Sequence, residues 1–186
     1  MPAFLLTFLF VALAMLAGRD AVRTGRFAQT GASPGMLVGL AILVAIVGCG
    51  VAAWLAGALA SLISPAYHAW LVGAALVFAG LEVILLNAPA APREPTRSLG
   101  ALALVLLSGV LADATGLMIV ALAVASEEPV LTAAGGALGA GGVLALAALA
   151  GADWEKLPRQ KLRWLSGAIL LLTAIMIVLL EPVAIV

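Results

Sequence analysis

One cysteine, one histidine and nine residues of each charge sign are nearly all the reactive chemistry in this 186-residue chain. Cys49 alone excludes an intrachain disulfide and a cysteine-based zinc site. His68 alone excludes a histidine-rich metal site within the chain. A net charge of zero leaves no basic face for nucleic acid. No glycine-rich phosphate loop and no metal-ligand spacing appears. No Lys or Arg precedes the first apolar run, Ala3 to Ala17. Its length, and Ala12-Leu13-Ala14, would suit a signal peptide. Without a basic start it reads as a retained first transmembrane helix.

Enzyme readings fail on the same scarcity. An intramembrane serine protease needs a serine near a membrane-embedded histidine, and Ser108 has none. An aspartyl protease needs two acids on facing helices. Asp20 and Asp113 would have to serve, and Asp20 sits beside Arg19. The chain is read as a non-enzyme without a cofactor.

What is abundant is apolar. Hydrophobic residues make up 65% and charged residues 10%, with a mean hydropathy of +1.26. Soluble domains are nearer half apolar and a quarter charged. A globule of this size cannot hide so much apolar surface, but a lipid bilayer accepts it. The 20 glycines suit close helix packing in lipid.

Six apolar runs follow one another. The first is Ala3 to Ala17, with the helix extending toward Arg26. The second is Gly35 to Ile63, ended by the Ser64-Pro65 turn, and the third is Ala66 to Leu86. The fourth is Ser98 to Ser126, the fifth Val130 to Gly151 and the sixth Trp164 to Leu180. Each is long enough, or nearly so, to span a bilayer. Glu127-Glu128-Pro129 is a short turn, and Asp153 to Arg163 is a charged loop with room for an interfacial helical turn. The expected fold is an all-α integral membrane protein with six transmembrane helices.

All nine basic residues follow runs one, three and five: Arg19, Arg23 and Arg26; Arg93 and Arg97; Lys156, Arg159, Lys161 and Arg163. With six spans, those three loops share one side, cytoplasmic by the positive-inside rule. Both termini, His68 and Glu127-Glu128 then lie outside, and Trp70, Trp154 and Trp164 read as interface anchors. The expected location is a bacterial inner membrane.

The two halves repeat. Pro34 matches Pro129 and Met15-Leu16-Ala17 matches Val110-Leu111-Ala112, both 95 positions apart. Trp70-Leu71-Val72-Gly73-Ala74 matches Trp164-Leu165-Ser166-Gly167-Ala168, and Leu85-Leu86 matches Leu179-Leu180, both 94 apart. The expected organisation is residues 1–88 as one three-helix repeat, 89–97 as a Pro-rich cytoplasmic linker, and 98–186 as the second repeat. An odd number of spans per copy inverts the second copy, a plan shared by many secondary transporters. Their sites lie at the repeat interface near the midplane. A duplicated scaffold without transport would show the same pattern.

Asp113 stands alone in the fourth run. It lies about 22 Å along a helix starting at Ser98, past the middle of a ~30 Å hydrocarbon core. A carboxylate there must face protein or water, which makes it a candidate functional residue. On a continuous helix, Gly109 and Gly116 share its face. Ser108 and Thr115 lie on another face, suited to bonding a carbonyl one turn back. The equivalent segment is Met15 to Ala21, where Gly18 aligns with Asp113 and an Arg19-Asp20 pair follows. Two readings stand for Arg19. It snorkels to the interface, or it reaches the repeat interface and pairs with Asp113 or Asp20. Glu82, late in the third run, reads first as a residue reaching interfacial water, and otherwise as a proton relay or ligand. Gly35/Gly39 and Gly135/Gly139 are small-xxx-small pairs expected to serve intramolecular packing. Cys49 reads as a small apolar residue, His68 as interfacial and Glu181 as solvated.

The Asp113 segment and the repeat plan resemble the cation/proton exchangers of Golgi, chloroplast and bacterial membranes, within the LysE-like transporters. These carry Glu-x-Gly-Asp-Lys/Arg-Thr/Ser twice, once in the first helix of each repeat. The resemblance implies exchange of manganese or calcium for protons, with the motif acids as ligands. It covers the chain in hydropathy and repeat spacing, including Trp-Leu-x-Gly-Ala in runs three and six. Val110 to Thr115 aligns with the second motif. Asp113 and Thr115 are kept, while Val110 takes the Glu position, Ala112 the Gly and Ala114 the Lys. In the first motif Met15 takes the Glu position, Ala17 the Gly, Gly18 the Asp and Arg19 the basic position, with Asp20 displaced by two. Asp113 is the only metal ligand in register, whereas calcium and manganese want about six oxygen ligands.

The expectation is thus a cation/proton exchanger-type membrane protein. Asp113, Thr115, Arg19, Asp20 and Glu82 are its transport-site candidates, in a lipid bilayer and without nucleic acid. Arg19 is expected to stand in for the metal, so divalent-ion activity is not anticipated. The alternative is a non-transporting scaffold or partner subunit on the same fold.

Overall fold

A computed structural model describes residues 1–29, 33–87 and 98–180. Eight α-helices are present among them: α1 (Pro2–Ala17), α2 (Arg19–Gln29), α3 (Pro34–Ala60), α4 (His68–Leu85), α5 (Leu99–Ala112), α6 (Ala114–Ser126), α7 (Pro129–Ala150) and α8 (Arg159–Leu180). Among the described residues there is no strand. Four helices are long and apolar enough to cross a membrane, or six spans if the bent pairs α1–α2 and α5–α6 each count as one. The expected linker at 89–97, with Arg93 and Arg97, and the expected solvated Glu181 lie outside the described residues.

Local signals set the helix ends. Proline opens α1, α3 and α7 near the first position, where its missing N–H costs nothing. The Ser33 and Ser98 side chains accept from the N–H groups of Met36 and Ala101. α7 stops at Gly151, whose φ of +51° favours a residue without a side chain. A 3-10 turn, Gly151–Lys156, then carries the chain toward α8. That helix begins at Arg159, so Lys161 and Arg163 of the expected charged loop are helical.

Two expected continuous runs are broken. The first bends by 59° between α1 and α2, and the fourth by 51° between α5 and α6. The breaks fall at Gly18 and Asp113, both with extended backbone. They are 113 − 18 = 95 positions apart, the offset of the sequence landmarks. Asp113 is therefore a hinge residue between two helices, not a mid-helix one, and shares no continuous helix face with Gly109 and Gly116.

Packing interleaves the two halves of the chain. α7 packs against α3 and α1, α4 against α8, and α6 against α3 and α4. Each half thus buries its apolar stripe mainly against the other. Leu37, Leu76, Leu102, Leu106, Met118, Ile119, Leu144 and Leu170 are fully buried at the centre. Trp54, Leu43, Ile46, Leu104 and Leu146 point outward, an apolar exterior compatible with an integral membrane protein.

Small residues set the closest crossings. A Cβ built on Gly139 would sit 2.8 Å from the Phe8 carbonyl oxygen, and one on Gly135 would strike the Phe4 carbonyl. This pair seats α7 on α1, as expected of intramolecular packing. Gly35 and Gly39 differ: among the described residues nothing lies within 4 Å of either position. They face away from the bundle, so the expected packing role fails there. Trp154 also departs from expectation. It is 7% exposed and belongs to the core cluster, with its Cβ 3.4 Å from the position a Cβ on Gly25 would take. Trp70 and Trp164 stay exposed.

Candidate functional site

The break at Asp113 is explained by where its side chain goes. The residue is extended (φ −85°, ψ 170°), as an N-cap should be, but its carboxylate does not cap α6. It turns to Arg19 instead. The Arg19 guanidinium donates from Nε to Asp113 Oδ2 at 3.1 Å and from Nη2 to Asp113 Oδ1. Two parallel bonds of this kind are the strongest geometry open to an arginine and a carboxylate. The vacated capping role falls to Glu82 of α4, whose Oε2 accepts from the Ala114 N–H at 2.7 Å. Its other oxygen, Oε1, lies 3.4 Å from Arg19 Nη2. Glu82 thus turns into the bundle rather than toward interfacial water. It satisfies the first backbone donor of α6 and flanks the Arg19–Asp113 pair.

The first break places Arg19 and Asp20 on opposite errands. Arg19 opens α2 and reaches α5–α6. Asp20 is 3% exposed and lies against the Gly109 backbone of α5. A Cβ on Gly109 would stand 2.7 Å from both Asp20 carboxylate oxygens, so glycine is required for this approach. Arg23, one turn along α2, donates from Nη1 to Asp20 Oδ1 at 3.1 Å. Thr24 donates its hydroxyl to the Asp20 carbonyl at 2.8 Å, tying the first turn of α2.

Every candidate drawn from the sequence meets here. Arg19, Asp20, Glu82, Asp113 and Thr115 all line one small enclosed space of ≈ 20 Å³ between the two breaks. That is room for about one water molecule, since one needs ~10–15 Å³ by this measure. Thr115 is buried in its wall. Three carboxylates face two guanidiniums, counting Arg23, so the fully ionised cluster carries one net negative charge. Glu82 and Asp113 also border a wider, mainly apolar groove of ≈ 400 Å³ beside α4, with Leu85 and Leu117 in its walls. Among the described residues no group of three or more His, Cys, Asp or Glu side chains is arranged to hold a metal ion. Asp113 is engaged with Arg19 at the position the sequence marked as a metal ligand.

Other side chains take simpler roles. Ser108 donates to the Val105 carbonyl at 2.8 Å, the expected backbone bond. Cys49 is fully buried between helices. His68 is partly buried, and its Nε2 has no hydrogen-bond partner among the described residues. Sequence reasoning missed the capping role of Glu82. The available signal was a helix N-cap pattern at Asp113-Ala114-Thr115, which implied a break, and a break needs an acceptor for its freed N–H groups.

No family model, no curated protein and no solved structure matches this chain.

Proposed function

We propose that this chain is an integral membrane transport protein built on a 3+3 inverted repeat, of the cation/proton exchanger type. The observation that carries the reading is the meeting of two broken helices at one charged cluster, Arg19–Asp113–Glu82. Discontinuous helices whose ends face each other inside a bundle are how many secondary transporters build a substrate site. The 95-residue offset between the breaks at Gly18 and Asp113 supports the repeat, as do the Trp-Leu-x-Gly-Ala landmarks in α4 and α8. The resemblance to the manganese/calcium exchangers supports the same plan. Under the positive-inside rule the basic end of the bundle is cytoplasmic and both termini are outside, in a membrane such as a bacterial inner membrane.

The charge count supports a monovalent substrate. One net negative charge matches one proton or one monovalent cation, not a divalent ion. Arg19 occupies the place a metal would take between Asp113 and Glu82. A transported proton, monovalent cation or small cationic solute would bind these carboxylates with Arg19 still in place. Proteoliposomes with an internal pH dye test this. Gradients of sodium, potassium or guanidinium should drive proton flux that disappears in Asp113→Asn. Manganese- or calcium-driven flux that is lost in Asp113→Asn would overturn the charge argument.

One observation favours a second reading, a non-transporting scaffold or partner subunit. The Arg19–Asp113 pair is bidentate, and the space around it holds about one water. Absence of flux with every cation, from correctly folded protein, would select that reading.

A further inference from the structure

The opposite side of Arg19 opens on a different environment. A cavity of ≈ 320 Å³ lies at the basic end of the bundle, where α2, the end of α4 and the start of α8 meet. Among the described residues, Arg19, Arg26, Arg159 and Arg163 line it, with Glu155 as the one carboxylate and Asn87 as a neutral polar neighbour. With the Arg19 charge already answered by Asp113, Arg26, Arg159 and Arg163 against Glu155 leave a net charge of +2 among the described residues. The contrast with the adjoining carboxylate cluster is complete within one side chain, because Arg19 borders both spaces.

The arginines are anchored rather than free to sweep through solvent. Arg163 donates from Nε to the Val83 carbonyl at 2.7 Å. Its Nη2 donates to the carbonyls of Ile84 at 2.7 Å and Leu86 at 3.0 Å, and its Nη1 to Asn87 Oδ1 at 2.5 Å. These bonds close the open carbonyl end of α4. Arg159 donates from Nη2 to the Trp154 carbonyl at 3.0 Å. Arg26 is held by Glu155, Nε to Oε1 at 2.7 Å. Fixed guanidinium forks in a partly enclosed space lose little entropy when they bind an oxyanion. The bonds above use most of the Arg163 donors, whereas Arg159 commits only Nη2 among the described residues, leaving its Nε and Nη1 N–H groups to donate to an oxyanion.

We propose that this cavity is a binding site for a phosphate-bearing anion. The phosphate can arrive as a free ion or as the headgroup of an anionic phospholipid. Basic pockets at helix ends beside a bilayer suit the latter chemistry. The site stands whether or not the cluster behind Arg19 transports a cation.

The test is binding to the purified full chain. Inorganic phosphate is titrated in detergent, and phosphatidylglycerol is compared with phosphatidylcholine in vesicles carrying the protein, with tryptophan fluorescence as readout because Trp154 adjoins the cavity through Arg159. Arg159→Gln should weaken binding about tenfold, the loss expected of a charge-assisted pair. Lys161→Gln removes a charge from the same end without lining the cavity, and should leave binding unchanged. Saturable phosphate binding with this pattern assigns a free anion. Preference for phosphatidylglycerol with this pattern, without phosphate binding, assigns a headgroup. If Arg159→Gln does not fold, Glu155→Gln gives the second arm: loss of this carboxylate should tighten binding severalfold. No binding of either probe, equal losses in Arg159→Gln and Lys161→Gln, or no tightening in Glu155→Gln would each overturn the proposal.

Discussion

Arg19 holds Asp113 through two hydrogen bonds across 94 positions of sequence, joining the first residue of α2 to the hinge between α5 and α6. Removing either partner leaves a charge facing the bundle interior. Arg19→Gln or Asp113→Asn should each destabilise the protein by roughly 2–3 kcal/mol, below the ~3–5 kcal/mol of a fully buried pair because solvent screens part of it. The double variant should lose clearly less than the sum of the two. Chemical unfolding in detergent measures the cycle, and simple additivity would show that the pair is not coupled.

Glu82 has two separable tasks. Glu82→Gln keeps an oxygen for the Ala114 N–H but loses the charge facing Arg19. Glu82→Ala loses both and orphans the first donor of α6. The alanine variant should therefore be less stable than the glutamine variant by about 1 kcal/mol, the worth of a helix cap. If the two melt alike, the capping bond contributes nothing.

Glycine positions divide by what surrounds them. Gly109→Ala drives a methyl into the Asp20 carboxylate, and Gly139→Ala drives one into the Phe8 backbone. Each should cost about 1–3 kcal/mol. Gly39→Ala meets nothing within 4 Å among the described residues and should fold and melt like the parent. A destabilised Gly39→Ala would mean that α3 presents that face to a partner in the membrane.

Cys49 is the single thiol and is fully buried. A membrane-permeant maleimide should leave it unlabelled until the bundle is denatured. That silence makes the parent a background for topology mapping. Lys161→Cys and Leu62→Cys should label from opposite sides of sealed vesicles. Labelling of both from one side would refute the proposed six-span topology.

Much of the architecture is legible in the sequence. Uninterrupted Ala, Leu, Val and Gly over span-length runs admits only helices in lipid, because every backbone group must be satisfied within its own segment. Pro34, Pro129, Ser64-Pro65 and Gly151 then mark the ends by local backbone chemistry that needs no tertiary contact. The five candidate site residues also stand out in the sequence, since each is a polar side chain in or beside an apolar run, where the cost of exposure to lipid singles it out.

The sequence by itself could not decide how those residues meet. Periodicity within one run treats it as a straight helix, so it placed Gly109 beside Asp113. A 51° break at Asp113 instead sets Gly109 against Asp20 and gives the Ala114 N–H to Glu82. It left open whether Arg19 snorkels or pairs. That choice depends on the distance between two hinges from different halves, which is fixed by α1 and α3 packing on α7. Local chemistry determined which residues must be helical and which must be accounted for. Only the interleaved packing of the halves decided that Arg19 is the charge that answers Asp113.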